Sequence, residues 1–136
     1  MAKIRKVDYF VTQVSDRPGN GARMLKALKK AKVSLLAITA FPEGDGTQVD
    51  FVPDDSRKFL AAAKSLGWEV SQKKAGFLVQ GKDKNGALIG LMNKLGKNGI
   101  NVTAVTAVIG GKKRFGGIFW VKAANVQRAA RPRRGW

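Results

Sequence analysis

The chain repeats itself at an offset of 67 residues: Asp16-Arg17-Pro18-Gly19 returns as Asp83-Lys84-Asn85-Gly86. Phe10 pairs with Phe77, Gln13 with Gln80, Leu28 with Leu95, Thr39-Ala40 with Thr106-Ala107, and Gly44 with Gly111. The apolar positions follow the same register, as Met24/Leu91, Val33/Ile100, Ile38/Val105 and Phe51/Ile118. A fixed offset without a gap implies one supersecondary unit built twice. Each site in one half then has a counterpart in the other, and differences between counterparts become informative.

Periodicity predicts the content of each unit. Lys6–Val14 alternates with apolar residues on both faces, as a central strand does. Ser15–Gly19 is a turn, with Pro18 suited to a first helical turn. Ala22, Leu25, Ala27, Leu28 and Ala31 then supply a helical apolar face, with Arg23, Lys26, Lys29 and Lys30 pointing outward. Val33–Phe41 and Thr47–Val52 read as strands joined by a hairpin turn at Pro42–Gly46. Pro53-Asp54-Asp55-Ser56 opens a second helix, with Phe59, Leu60, Ala63 and Leu66 as its buried stripe. Gly67 ends it, and Trp68–Ser71 is a closing strand.

The second copy predicts strands at Gly76–Gly81, Ile100–Ile109 and Phe115–Lys122, and helices at Asn85–Lys97 and Ala123–Ala130. Its own closing strand would begin near Arg134, where the sequence has almost ended. The expected fold is therefore α+β: two tandem ferredoxin-like βαββαβ units, the second lacking its final strand. Each has an antiparallel sheet with helices on one face. The expected division is 1–73, 74–130, and a basic tail over 131–136. The uncovered edge of the second unit would be filled by a second protomer or by the long N-terminal strand.

Composition narrows function. The 136 residues contain neither cysteine nor histidine. That removes thiol nucleophiles, Ser/His/Asp triads and Cys/His zinc sites, and it moves the expectation toward a binding protein that is not an enzyme and carries no cofactor. No apolar stretch approaches the roughly 20 residues of a membrane span, so the expected setting is soluble and cytoplasmic. The net charge is +17, of which +11 falls on residues 75–136. A field of that sign attracts polyanions.

Both Asp-to-Gly turns lead into helices. A helix N-terminus offers unpaired N–H groups and partial positive charge, a glycine permits close approach, and a carboxylate can take an ammonium group. Together these could hold the zwitterionic end of an amino acid, although capping and turn chemistry ask for the same residues.

The loop Asp16-Arg17-Pro18-Gly19, followed by Leu25, Leu28 and Val33-Ser34, resembles the ACT domain, a small-molecule-binding regulatory module. The stretch from Asp83 through Gly86-Ala87-Leu88 to Gly99-Ile100-Asn101-Val102 is similar. The resemblance spans roughly residues 6–130 as a tandem pair. It implies an amino-acid sensor or regulatory subunit that pairs as a homodimer. The implied ligand-binding residues are Asp83, Gly86 and Asn101, then Asp16, Gly19 and Ser34. Ser34 and Lys32 stand where the family has Asn and Gly, and Lys84-Asn85 replaces Arg-Pro.

Two other readings share the fold. The RNA recognition motif stacks bases on aromatics of a βαββαβ sheet, and Lys113–Trp120 resembles part of its longer signature. On that alternative the nucleic-acid contacts are Lys112, Lys113, Arg114 and Phe115, with Arg131, Arg133 and Arg134 of the tail. Acylphosphatases are the third, but only the fragment Val79-Gln80-Gly81 matches them.

Overall fold

A computed structural model describes residues 3–82 and 86–130. The expected residues Asp83, Arg131, Arg133 and Arg134 lie outside them. Among the described residues, six strands and four helices follow in chain order: β1 (Lys3–Ser15), α1 (Asn20–Lys30), β2 (Leu35–Glu43), β3 (Gly46–Pro53), α2 (Ser56–Leu66), β4 (Lys74–Lys82), α3 (Ile89–Lys97), β5 (Val102–Gly111), β6 (Arg114–Val121) and, after a 3₁₀ turn at Ala123–Asn125, α4 (Val126–Ala130). The described residues form two compact units, one of residues 8–74 and one of residues 3–7 with 75–82 and 86–130. The fold is α+β and antiparallel, consistent with tandem ferredoxin-like units.

In the 8–74 unit the strand order is β2-β3-β1. Both pairings are antiparallel, with Phe10 opposite Phe51 and Ile38 opposite Phe51. Alternation places Phe10, Val49 and Phe51 on the face that meets the helices. There they join Met24 and Leu28 of α1 and Phe59, Ala62 and Ala63 of α2 in one core. Only part of each predicted helical stripe is buried: Leu25, Leu60 and Leu66 stay exposed, because two helices on one sheet face each need only a narrow strip against it.

The expected strand at Trp68–Ser71 is not regular. The stretch still runs along β1, where the Ser71 amide donates to the Val11 carbonyl at 2.9 Å. The Val11 amide donates to the Ser71 hydroxyl, also at 2.9 Å. A side-chain oxygen has taken the place of a ladder carbonyl, which breaks the regular pattern.

In the other unit the order runs from β1 through β4 and β6 to β5, with residues 3–7 supplying the β1 part. Of the two fillers expected for the uncovered position, the long N-terminal strand occupies it. Ile4 packs against a core of Phe77, Val79, Phe115, Phe119 and Val121 with Leu91, Leu95, Ile100 and Ala129.

The offset of 67 does not hold throughout. Phe51 pairs with Ile38, whereas Val105 pairs with Phe119 rather than Ile118. A register shift between Ile109 and Gly111 inserts one residue. Beyond this bulge the copies correspond at 68, so Phe119 is the counterpart of Phe51 and Lys112 that of Gly44. Strand side chains alternate, so without the bulge the whole of β6 would turn its apolar row away from the helices.

The helix ends show what each copy spends on geometry. After α1, Lys32 takes φ 62, and the Val33 amide donates to the Leu28 carbonyl at 2.9 Å. After α3, Gly99 takes φ 67, and the Ile100 amide donates to the Leu95 carbonyl at 2.9 Å. These are equivalent left-handed caps. A Cβ in that conformation costs about 1–2 kcal/mol, only partly offset by the entropy that glycine loses. Lys32→Gly is expected to stabilise the chain by about 1 kcal/mol on these grounds, read as a rise in the urea midpoint at unchanged slope.

Candidate ligand-binding site

The end of β1 and the start of α1 meet at a turn. Gly19 holds the N-cap position with φ 88, and no side chain caps the helix. Asn20 fastens the turn instead. Its amide nitrogen donates to the Ser15 carbonyl at 2.7 Å and to the Ser15 hydroxyl at 3.1 Å, while its oxygen accepts from Arg23 Nη1 at 2.9 Å. Residues three apart on a helix are neighbours, so Asn20 orients the Arg23 guanidinium.

Facing this turn is the stretch after α2. Gly67 adopts φ 75, and the Trp68 amide donates back to the Ala63 carbonyl at 2.9 Å. The Thr12 hydroxyl donates to the Glu69 carbonyl at 2.6 Å. Trp68 stacks on Phe51 with centroids 5.9 Å apart. Between these walls lies a cleft of about 480 Å³ lined by Thr12–Ser15, Asn20, Arg23, Met24 and Gly67–Glu69. It offers one guanidinium and one carboxylate, several hydroxyl and amide groups, and an apolar floor from Met24 and Trp68. Such a set matches a small molecule carrying both charges.

On the sheet face opposite Phe10, Val49 and Phe51, a hydrogen-bonded chain runs from β1 along β3. Gln13 Nε2 donates to Gln48 Oε1 at 3.4 Å, and Gln48 Nε2 donates to Asp50 Oδ1 at 3.0 Å. Burial pushes the Asp50 carboxyl above the usual carboxylate range, against the opposing Gln48 hydrogen bond and the charge of Lys74. Burial also raises the Tyr9 phenol, and the Asp50 charge adds to it. A carboxyl raised by folding favours the folded state while protonated. That stability is present below the unfolded value and is lost as pH rises through the raised folded value. The contribution of Asp50 to the melting temperature is therefore expected to fall as pH rises from the unfolded carboxylate value through the raised folded one. Asp50→Asn should flatten that step and melt higher at neutral pH, and an unchanged profile would remove Asp50 as its source.

The residues expected from sequence are distributed differently. Asp16 and Gly19 are exposed beside the cleft but do not line it. Ser34 is exposed, its carbonyl accepting from the Asp54 amide at 2.9 Å, and it lines a separate depression of about 440 Å³ with Leu25, Lys29 and Lys32. Gly86, with φ 72, lines an apolar cleft of about 610 Å³ together with Ile89, Val108, Ile109 and Phe115. Asn101 is exposed and lines none of these three clefts. Phe115, a nucleic-acid contact on the alternative reading, is buried in the core, so its ring is not available for stacking.

The sequence reading passed over Asn20, Arg23 and Glu69. Arg23 looked like one more outward cation. The available signal was its spacing from Asn20 and the loss of both in the second copy, where Ala87 and Gly90 stand at their positions.

No family model and no curated protein sequence matches the chain. Solved structures do. The fold is that of ACT-type regulatory domains. The chain is similar to a protein of Bacteroides thetaiotaomicron, with a TM-score of 0.79 at 13% identity over 93% of this chain and 85% of the other. It is also similar to the regulatory subunit of aspartate kinase from Thermus thermophilus in its ligand-free form, at TM-score 0.66 and 16% identity, covering 98% and 95% of the two chains. The corresponding subunit from Thermus flavus gives TM-score 0.62 at 16% identity, covering 99% and 94%. Among the described residues, no helix is long and apolar enough to cross a membrane.

Proposed function

We propose that this chain is a non-enzymatic, cytoplasmic regulatory protein that binds a free amino acid in the cleft of the 8–74 unit. The observation that carries the reading is the placing of Arg23 and Glu69 on the walls of one cleft at a helix N-terminus. Arg23 takes the α-carboxylate, held in orientation by Asn20, and Glu69 takes the α-ammonium. Asp16 and Gly19 border the mouth, where the uncapped start of α1 adds partial positive charge. Met24 and Trp68 meet the ligand side chain. The likeness to regulatory subunits of aspartate kinase supports a regulatory role through shared fold. In the second unit Gly86 and Asn101 remain, with Asp83, as weaker candidates, because no cation stands at the position of Arg23 there.

A thermal-shift screen of the twenty amino acids tests this. A ligand at a hundred times its Kd stabilises the fold by about 2.7 kcal/mol, which for a chain of this length corresponds to a rise of several degrees. At least one amino acid is expected to produce it. Flat curves for all twenty would overturn the reading.

A further inference from the structure

One end of the second unit brings cations and exposed aliphatic side chains together. β4 finishes at Lys82, which stands opposite Arg114 at the start of β6. The β5–β6 turn, Lys112-Lys113, closes the same end. All four cations are exposed. α3 starts there as well, since Gly86–Ile89 shares the apolar cleft of about 610 Å³ with Val108, Ile109 and Phe115. Ile89, Val108 and Ile109 are 62%, 67% and 60% exposed, more than any other large apolar side chain among the described residues. No described residue of this unit carries a carboxylate, and Asp83 is the one acid in the sequence of residues 75–136.

The fold does not ask for these residues. In the first copy Ala22 stands where Ile89 does, and Pro42 where Ile109 does. Ser15, Gly44, Asp45 and Gly46 stand at the places of Lys82, Lys112, Lys113 and Arg114, and only Phe41, at the place of Val108, is comparable. Lys112 and Lys113 also hold φ 52 and 56, a conformation for which Asn-Gly is the favoured pair. Turn geometry therefore gives no reason for two lysines, whereas a need for cations at the tip does. Single exposed apolar side chains need no explanation, but a group of them rimmed by charge marks an interaction surface.

We propose that this end docks on an anionic lipid surface. Ile89, Val108 and Ile109 enter the boundary between headgroups and acyl chains, while Lys82, Lys112, Lys113 and Arg114 meet the lipid phosphates. Shallow apolar insertion and a few cations each bind weakly alone, and together they hold a protein reversibly. A nucleic acid would use the cations but not the aliphatics. The described aromatics of the unit, Phe77, Phe115, Phe119 and Trp120, are buried and closed to base stacking. A second copy of the same end would set the four cations against four more. The docking end and the amino-acid cleft lie in different units, so either proposal can fail alone.

Flotation with vesicles of phosphatidylcholine, with and without phosphatidylglycerol, tests it. Wild type is expected to float with the anionic vesicles and not with the neutral ones, and less as salt rises. A chain of net charge +17 would show that much without a dedicated surface, so the variants decide. V108S/I109S leaves the charge unchanged and should weaken binding by about tenfold or more. K112N/K113G/R114Q removes three cations from the tip and should weaken it similarly. K26Q/K29Q/K30Q removes three exposed cations from α1 and should bind like wild type. Circular dichroism checks that each variant is folded. The chain has no cysteine, so I109C can carry a single environment-sensitive fluorophore. Its emission should shift to the blue on anionic vesicles, while the same label on S65C, exposed on α2, should not respond. Failure of wild type to float, undiminished binding by V108S/I109S, or equal losses from the two triple variants would each overturn the proposal. So would self-association or RNA binding that V108S/I109S abolishes in a chain that does not float.

Discussion

Phe59→Ala is expected to destabilise the 8–74 unit by about 3–5 kcal/mol, the range for truncating a fully buried aromatic. Phe59 is completely buried on α2. Its ring stacks on Phe10 at 5.1 Å and lies 5.4 Å from Phe51, so one side chain joins two strands to a helix. The neighbours on that helix face are Ala62 and Ala63, too short to move into the space left behind. Loss of the ring removes both transfer free energy and packing. With Trp120 and Trp136 replaced by Phe in both chains compared, urea unfolding followed by Trp68 fluorescence reads the effect locally, because Trp68 stacks on Phe51 in the same core. A midpoint shift worth less than about 1 kcal/mol would show that the core collapses around the void.

Arg23→Ala is expected to weaken the amino acid found by the thermal-shift screen at least tenfold. Hydrogen bonds to charged groups contribute about 1.5–3 kcal/mol each, which converts to roughly 10- to 150-fold in affinity. Arg23 is exposed, so the unliganded melting temperature should stay close to wild type. Arg23→Lys should recover part of the affinity through charge alone, without the planar fork. Glu69→Gln is the complementary change. Thr12 is bonded to the backbone carbonyl of residue 69 and not to its side chain, so the wall keeps its place while the charge that faces an ammonium is lost. Unchanged affinity in both variants would move the ligand elsewhere.

Repetition and periodicity together made the architecture legible. The alternation in β1 and β3, the glycine stop at Gly67, and the two-copy register lead to antiparallel βαββαβ units. These are local properties, set by side-chain spacing and by the few residues that tolerate left-handed backbone. Two elements were not legible. Ser71 replaces a ladder carbonyl with its own hydroxyl, so Trp68–Ser71 follows β1 without forming a regular strand. The bulge before Gly111 shifts β6 by one residue and puts Phe119, rather than Ile118, opposite Phe77 and Val105. A gapless comparison of the copies conceals that shift, since Ile and Phe are equally apolar.

The cleft was harder to read than the fold. The loop resemblance drew attention to Asp16 and Gly19, which border it, while Arg23 read as an outward-pointing cation and Glu69 as one residue of a closing strand. Glu69 reaches the cleft only because the stretch after α2 returns along β1, held there by Thr12 and Ser71.

The sequence by itself determined that one βαββαβ pattern is written twice, and that its chemistry lacks thiol and imidazole. Both follow from local periodicity and from which residue types are present. Only the tertiary structure decided that residues 3–7 belong with β4, β5 and β6, that Arg23 and Glu69 share a cleft, and that the copies slip by one residue at a bulge. Those outcomes depend on contacts between residues far apart in the chain, where side-chain packing and backbone pairing choose among registers that local spacing leaves equal.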